Sequence, residues 1–215
     1  MLVAGKWELF GETMKKNIEV AQSCGADTIV TSCPACDMMW RHIYPAWAKK
    51  LGVKFNFQAR HYSEIIAEKI KSGQFVFPEN NRSPQTVTWH DSCHIGRVSG
   101  VYDAPRDLIR AIPNVKFVEM EHNREKAHCC GSVLTLIKDP PIAADIGKMR
   151  LEEAVDVGAQ KVLALCPCCE VQLRVSAKSK NVPVEVVDLA HFAGSALGYE
   201  FPDPNPSVHS QWGVF

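Results

Sequence analysis

Segments with apolar residues at helical spacing alternate along this chain with short apolar runs typical of strands, and this alternation predicts the fold class. Pro140 and Pro141 favour the start of a helix. The residues that follow recur at helical spacing: Ala143, Ile146, Gly147, Leu151, Ala154 and Val155. Gly158 is expected to end this helix, and the apolar run 161–165 after it predicts a buried strand. Cys166 then lies at the carboxyl end of a strand, where open α/β sheets place their ligand sites.

Shorter segments show the same alternation elsewhere in the chain. Residues 86–90, 115–120 and 184–187 are the compact apolar and β-branched runs typical of strands. Residues 62–71 and the proline-initiated run 105–112 have helical spacing. Strands and helices that alternate in this way predict an α/β fold.

One stretch of the chain occurs twice. Residues 25–41 align without gaps on residues 158–174 at an offset of 133. Six pairs of aligned residues are identical: Gly25/Gly158, Ala26/Ala159, Cys33/Cys166, Pro34/Pro167, Cys36/Cys169 and Arg41/Arg174. Chance is a poor explanation for this register, so we interpret the chain as two copies of one unit.

The two copies and their surroundings predict four segments. We assign 1–72 to an incomplete first copy and 85–200 to a complete second copy. Glycine, proline and asparagine interrupt the periodicity of 73–84, which we interpret as a linker. Residues 201–215 contain three prolines and no period, so we interpret them as a tail.

Composition and charge exclude several classes of function. The 24 Lys and Arg residues balance 24 Asp and Glu residues, and the resulting net charge of zero gives no electrostatic footprint for nucleic acid. No apolar run approaches the ~20 residues that a membrane span needs, and the first residues do not resemble a secretory signal peptide. We therefore expect a cytoplasmic protein with no membrane span, which reaches a membrane complex only through a partner. Its nine cysteines are too few for a secreted disulfide scaffold and are clustered, which indicates metal binding.

Five cysteines of the second copy are spaced for a soft metal centre. Cys93 is followed after 35 residues by Cys129-Cys130-Gly131, and 35 residues separate the second of these cysteines from Cys166-Pro-Cys-Cys169. Thiolates are soft ligands that select Fe–S clusters, Zn or Cu(I), and here three separate loops must bring them to one point. Adjacent side chains of a strand point to opposite faces, so the use of both adjacent cysteines requires an irregular turn. Gly131 supplies the backbone freedom for such a turn.

This spacing resembles the CCG domain, the cysteine-rich module of heterodisulfide reductase B and D subunits and of related Fe–S oxidoreductases. The family pattern of one cysteine, a CCG and a CxxC is matched in full by residues 93–169. The resemblance implies an α/β chain of two repeated CCG-type units, the first incomplete, with strands and helices in alternation. It also implies an iron–sulfur cluster, a [4Fe–4S] cluster of the non-cubane kind found in the heterodisulfide reductase relatives. The residues that it assigns to this site are Cys93, Cys129, Cys130, Cys166 and Cys169 as ligands, with Gly131 beside them.

The first copy departs from the family pattern because it retains only Cys33 and Cys36. Two thiolates fall short of the four that an ordinary Fe–S centre requires, so these two are metal ligands only if others join them. Cys24 does not supply a third, since its repeat partner is a valine, and we expect it to be a small buried side chain. Cys168 has no cysteine counterpart in the first copy, and we expect it not to bind the metal.

The chain has no GxGxxG fingerprint and no second cysteine run of the ferredoxin kind, so it should have no FAD or NAD site of its own. Electrons would arrive from a flavin or ferredoxin-type partner subunit. The resemblance then implies a heterodisulfide reductase-like oxidoreductase subunit that reduces a disulfide or passes electrons to a quinone-linked acceptor. His90, His94 and His128 flank the ligand cysteines, and we take His94 and His128 as candidate proton donors.

Two other classes of protein stay open. A binding module would hold a structural zinc ion through Cys166, Cys169 and two further cysteines, which leaves no role for a fifth thiolate. A metal-free thiol–disulfide oxidoreductase would use Cys33-Pro-Ala-Cys36, although a single CxxC before a helix is a weak signal.

The register of the repeat also bears on the start of the chain. At the offset of 133, Met1 aligns with Leu134, three residues after Gly131. We therefore expect this chain to be the carboxyl-terminal part of a longer two-domain protein, or to have a start assigned too far downstream. The alternative is a degenerate first copy that only supports the second.

Overall fold

A computed structural model describes residues 1–135 and 140–201 of the chain. Its helices and strands follow in this order: α1 (Trp7–Ser23), β1 (Thr28–Thr31), α2 (Pro34–Met38), α3 (Tyr44–Leu51), β2 (Gln58–His61), α4 (Tyr62–Lys71), β3 (Gln85–Trp89), α5 (Asp103–Ala111), β4 (Val115–Phe117), α6 (Ser132–Thr135), α7 (Pro140–Asp156), β5 (Lys161–Ala164), α8 (Pro167–Ser179), β6 (Glu185–Asp188) and α9 (Leu189–Ala196). A π-helical turn, Met39–Ile43, joins α2 to α3, and another, His94–Val98, follows β3. The predicted α/β class is confirmed.

The strands form two parallel sheets. β1 pairs with β2, and the larger sheet has the strand order β4-β3-β5-β6 with every neighbouring pair parallel. A parallel pair cannot be closed by a tight hairpin, so helices carry the chain from one strand to the next. Such helices cover the faces of the sheet, which is why its central strands read as apolar runs.

One face of the larger sheet packs against α4, α5 and α9. Val87 and Trp89 of β3 meet Leu108 of α5 and Phe192 of α9 in this apolar cluster. Tyr62, Ile66 and Ile70 of α4 pack against the same cluster, so a helix assigned to the first copy contributes to the core of the second.

The opposite face of this sheet packs against α7 and α8. Val162 of β5 lies in an apolar cluster with Leu151 of α7 and Leu173 of α8. Three cysteines complete the cluster: Cys130, Cys166 and Cys169. The thiol groups therefore lie at the border of a packed core, where water is largely excluded.

The first copy has a separate apolar cluster. Phe10, Met14 and Ile18 lie on the buried side of α1 and contact Tyr44 and Ala48 of α3. The spacing of the three α1 residues is the helical period, so one face of α1 is buried and the opposite face is in solvent.

Most predicted elements appear within two or three residues of their expected ends. The helix predicted at 62–71 has those bounds as α4, where His61 and Glu64 form a capping box. The helix predicted at 105–112 begins two residues earlier, at Asp103. The strand predicted at 115–120 ends at Phe117, since the chain then turns toward the carboxyl end of β3.

The four-segment division stays a prediction. In the structure, 72–84 contains no helix or strand, yet Phe77 within it is buried against the core of the larger sheet. Residues 202–215 of the predicted tail lie outside the described residues. Across the part of the chain that the structure describes, no helix has both the length and the apolar character needed to cross a membrane.

Helices α7 and α8 approach each other closely at Gly147, and this contact generates a prediction. A Cβ on Gly147 would lie 2.1 Å from Ser176 Oγ and 2.8 Å from Ser176 Cβ. We expect Gly147→Ala to lower the free energy of unfolding by about 1–3 kcal/mol, because overpacking outweighs the better helix propensity of alanine. Urea unfolding followed by circular dichroism measures the change.

The matched control is Lys148→Ala on the same helix, whose side chain is 42% exposed and pairs with Glu152 at 3.3 Å. Surface changes of this kind should stay within about 0.5 kcal/mol. A Gly147→Ala protein as stable as the unmodified chain would contradict the close approach of the two helices.

Candidate metal centre

Three loops meet at the carboxyl ends of β3 and β5. Trp89 of β3 and Leu163 of β5 are partners in register, so the two strands end at the same edge of the sheet. Cys93 lies four residues beyond β3, and Cys166 lies two residues beyond β5 as the N-cap of α8. The Cys129-Cys130-Gly131 loop, which leads into α6, supplies the third side of the site.

The sulfur atoms of the five predicted ligands lie close together. Cys130 Sγ is 3.2 Å from Cys169 Sγ. The Cys166 thiol is hydrogen-bonded with that of Cys169, and the Cys129 thiol with that of Cys130. Cys93 is near enough to Cys130 and Cys166 for their charges to affect it. The structure thus brings together all five cysteines that the family resemblance assigns to one site, each with a free thiol.

The start of α8 favours a thiolate at Cys166. A hydrogen bond from the Cys169 thiol and the backbone N–H groups of Cys168 and Cys169 outweigh burial and lower the pKa of Cys166 to about 6. Pro167 at the first helical position has no N–H group and leaves the next two N–H groups directed at the sulfur. The thiolate form of Cys166 is therefore favoured relative to an ordinary cysteine.

The remaining thiols influence one another in opposite directions. Hydrogen bonds from Cys129, Cys169 and His90 lower the pKa of Cys130, and the same contacts raise the pKa of Cys129 and Cys169. Burial and the nearby thiols raise the pKa of Cys93. Five thiolates cannot ionise together in this space unless a cation balances their charge. A group of soft donors with this property fits an iron–sulfur cluster.

Gly131 is required by the path of the chain around Cys129 and Cys130. Its φ of +91° lies in the left-handed region, and a Cβ would lie only 2.5 Å from the backbone oxygen of Ala143. The Gly131 N–H group donates to Cys129 Sγ at 3.3 Å. The loop therefore turns beside α7 with the backbone donating to a sulfur, as the irregular turn predicted for adjacent cysteines demands.

A buried ion pair supports the loop that carries Cys93. Asp91 accepts hydrogen bonds from Arg106 Nη1 at 2.8 Å, Arg106 Nη2 at 2.7 Å and Trp89 Nε1 at 2.9 Å. It also accepts the backbone N–H group of Arg124 at 2.7 Å. Burial opposes ionisation, but these donors outweigh it and hold the pKa of Asp91 below its usual value. Sequence reasoning missed Arg106, since nothing local distinguishes it from the solvated arginines of an amphipathic helix.

The three candidate histidines occupy different positions. His90 is 1% exposed, and its ligand nitrogen lies within 4.8 Å of the sulfur atoms of Cys130 and Cys169. His94 is half-buried directly after Cys93 and donates its backbone N–H group to that sulfur. The ring of His128 is 44% exposed, and its Nδ1 lies 2.6 Å from Glu153 Oε1. The His90 ring therefore lies directly beside two of the thiols.

The cysteine turn of the first copy is built like that of the second. Cys33 is the N-cap of α2 with a proline after it, as Cys166 is for α8. The ion pair Asp37–Arg41 at 2.8 Å matches Glu170–Arg174 at 2.9 Å in the aligned positions of the second copy. The repeat predicted from the sequence thus extends to side-chain contacts.

The two cysteine turns face each other. Cys168 is near enough to Cys33 for that thiol to raise the pKa of Cys168. Ser99 of the second copy donates a hydrogen bond of 2.7 Å to Asp37 of the first. The prediction that Cys24 is buried is wrong: it follows the last turn of α1, outside the apolar face of that helix, and is exposed.

A duplicated α/β chain with thiols at the ends of parallel strands defines a class of cysteine-rich metal-binding proteins. The family model of the cysteine-rich domain, CCG, matches residues 1–41 and 87–174, more than half of the chain. The chain belongs to this family. The matched ranges contain all five predicted ligand cysteines of the second copy and the Cys33–Cys36 pair of the first.

Several curated proteins are similar to this chain over most of its length. One subunit of the dihydromethanophenazine:CoB–CoM heterodisulfide reductase of Methanosarcina mazei is 33% identical over 192 residues, which cover 88% of this chain and 45% of that protein. The probable iron-sulfur-binding oxidoreductase FadF of Bacillus subtilis is 33% identical over 179 residues, 83% of this chain and 24% of that protein. One subunit of the fumarate reductase (CoM/CoB) of Methanothermobacter marburgensis is 29% identical over 199 residues, which cover 89% of this chain and 37% of that protein.

The chain spans less than half the length of these relatives. Their names support an iron–sulfur redox role, an iron–sulfur cluster and partner subunits for this chain.

The close backbone contact at Gly131 can be tested by substitution. We expect Gly131→Ala to lower the free energy of unfolding by more than Gly100→Ala, the matched control. Gly100 has a φ of +71° with nothing within 4 Å of its Cβ position, so it should lose only the about 1–2 kcal/mol of left-handed strain. Gly131 suffers the same strain and also the collision with Ala143 oxygen, which should add about 1–3 kcal/mol. Equal losses in urea unfolding would show that no close backbone contact exists at Gly131.

Proposed function

We propose that this chain is a redox subunit whose five clustered cysteines bind a [4Fe–4S] cluster of the non-cubane kind. The ligands would be Cys93, Cys129, Cys130, Cys166 and Cys169. The observation that carries the proposal is the convergence of these five thiols at the end of β3 and β5, at the border of a packed core.

The number of thiols favours a cluster over a single ion. A structural zinc ion binds four ligands tetrahedrally, so one of the five thiols would stay buried without a role. Several iron atoms accommodate five thiolates, including two from adjacent residues that are held by one turn. The Gly131 N–H group that donates to Cys129 Sγ and the N–H groups at the start of α8 are contacts of the kind that tune cluster potentials.

The residues around the sulfurs would prepare the site for electron and proton transfer. When bound, the cluster would supply reversible electron storage and iron atoms able to take a sulfur ligand. Reduction of a disulfide to two thiols consumes two electrons and two protons. The electrons would come from a flavin or ferredoxin-type partner subunit, and His94 and His128 remain the candidate proton donors. We add His90 to them, because its ring lies beside Cys130 and Cys169.

The similarity to components of reductases supports this assignment. Relatives named as subunits of a heterodisulfide reductase and of a fumarate reductase (CoM/CoB) support a disulfide as the acceptor. A quinone-linked acceptor is the alternative that the family resemblance implies. We take disulfide reduction as the first reaction to test.

A metal-free oxidoreductase at Cys33 and Cys36 is less favoured. Burial and the neighbouring Cys33 thiol raise the pKa of Cys36, so Cys36 itself is unsuited to be the attacking thiolate of such an enzyme. The opposite behaviour is found at Cys166, in the site that we assign to the cluster.

Serine substitution tests the ligand set. Cys129→Ser and Cys130→Ser should each abolish or convert the cluster, because a hydroxyl is a poor substitute for a thiolate. Cys24→Ser, at an exposed cysteine outside the site, and Cys168→Ser should keep it. Iron analysis, the visible absorption spectrum and EPR of anaerobically reconstituted protein measure the outcome. Unchanged iron and EPR in both the Cys129 and Cys130 variants would rule out the assignment.

The chain should depend on an external electron donor. The iron-loaded chain should reduce the CoM–CoB heterodisulfide with a reduced viologen dye and should lose this activity in Cys130→Ser. NADH or NADPH alone should give no turnover, since the sequence shows no dinucleotide fingerprint. Oxidation of the dye, followed by its absorbance, is the measurement. Turnover of either nicotinamide by this chain alone would refute the dependence on a partner.

A further inference from the structure

A second group of metal-ligating side chains lies beside the thiol site. His122 and His128 come from the loop that leads to Cys129, and Glu153 comes from α7. One ligand atom from each of the three lies within 4.8 Å of the other two. His128 Nδ1 is 2.6 Å from Glu153 Oε1, and His122 Nδ1 is 3.5 Å from Glu153 Oε2. The two rings stack with centroids 4.0 Å apart, so both Nδ1 atoms face one carboxylate.

The Nδ1 atom of His122 is buried and makes no hydrogen bond with any residue that the structure describes. Buried polar atoms in native proteins nearly always have a partner, and an ion is one of the few explanations for an exception.

Glu153 is held in the orientation that a ligand needs. Its Oε2 accepts Arg150 Nη1 at 2.8 Å and the backbone N–H group of His122 at 3.2 Å. Oε1 therefore faces the imidazoles, with His128 Nδ1 at 2.6 Å. Arg150 is fully buried and also donates to the His122 carbonyl oxygen at 2.7 Å, which fixes the loop to α7. Outer hydrogen bonds of this kind orient the ligands of metal sites.

We propose that His122, His128 and Glu153 bind a divalent transition-metal ion of the Zn²⁺ class, with a fourth position open to water. Two imidazoles and one carboxylate are a ligand set that zinc accepts, at about 2.0–2.2 Å from each donor atom. Donor atoms around such an ion lie about 3.4 Å apart, and one ligand atom from each of the three residues already lies within 4.8 Å of the other two. The charge of Arg150 opposes the cation, and the charge of Glu153 offsets it.

The ion would attach the loop to α7 immediately before Cys129 and Cys130. It would thus brace two of the cysteines without using any of the five as a ligand. His128 Nδ1 would then be occupied, and proton transfer at the thiol site would fall to His90 and His94. The inference stands without the proposed iron–sulfur function, because its ligands are separate.

Zinc X-ray absorption on the iron-loaded, anaerobic full chain tests the site. One equivalent of Zn²⁺ should give a first shell of nitrogen and oxygen at about 2.0 Å, with imidazole scattering and no sulfur near 2.3 Å. His122→Asn and Glu153→Gln should each lower the zinc affinity at least about tenfold and remove this signature. His42→Asn, at an exposed histidine of the first copy, is the matched control and should retain both.

Glu153→Gln also leaves the buried Arg150 without its carboxylate, so the half-exposed His122 provides the variant that spares the fold. Sulfur-coordinated zinc alone, or a nitrogen and oxygen shell unchanged in both variants, would overturn the proposal. The iron content of the same samples distinguishes a failure of the proposed zinc site from a failure of the proposed iron–sulfur cluster. Zinc bound with this signature in iron-poor protein supports the present site and not the cluster, and iron-loaded protein without the zinc signature does the reverse.

Discussion

The parallel pairing of β3 with β5 is the constraint on which the rest of the structure depends. Because Trp89 and Leu163 are in register, both strands end at one edge of the sheet, and the residues after them are delivered to the same place. Cys93 and Cys166 therefore meet although 72 residues separate them in the sequence. Helices α7 and α8 then close one face of the sheet and bring the third loop, with Cys130, against the other two.

Two buried arginines stabilise the loops that carry the cysteines. Arg106 joins Asp91 after β3 to Glu119 after β4, and Arg150 joins His90 to Glu153 of α7. Both arginines are fully buried, so the loss of a carboxylate partner would cost about 3–5 kcal/mol. The same pairs fix the direction of the loops, because a guanidinium group binds its acceptors in a rigid fork. The cysteines thus lie on loops whose backbones are held by charges within the core.

The duplication gives the molecule an approximate internal symmetry, and the contacts between the copies follow from it. Each copy places a cysteine at the N-cap of a helix after a parallel strand, and an ion pair one turn into that helix. Cys33 and Cys168 come near each other where the two turns meet. The copies nevertheless differ in chemistry, since one has five thiols at its site and the other retains two.

The sequence by itself determined what depends on local pattern. Its alternating periods predicted the α/β class, its internal repeat predicted two related units, and the spacing of Cys93, Cys129-Cys130 and Cys166 predicted one soft metal site. Helix α4 appeared at its expected bounds because its period and capping residues are all local.

Only the tertiary structure decided which side of each element is buried and which distant side chains meet. It placed α4 on the core of the second copy, left Cys24 in solvent and brought the buried His90 beside Cys130 and Cys169. It also paired Arg150 with Glu153. The physical reason is that periodicity reports the conformation of a short segment, whereas burial and charge pairing depend on the packing of segments far apart in the chain.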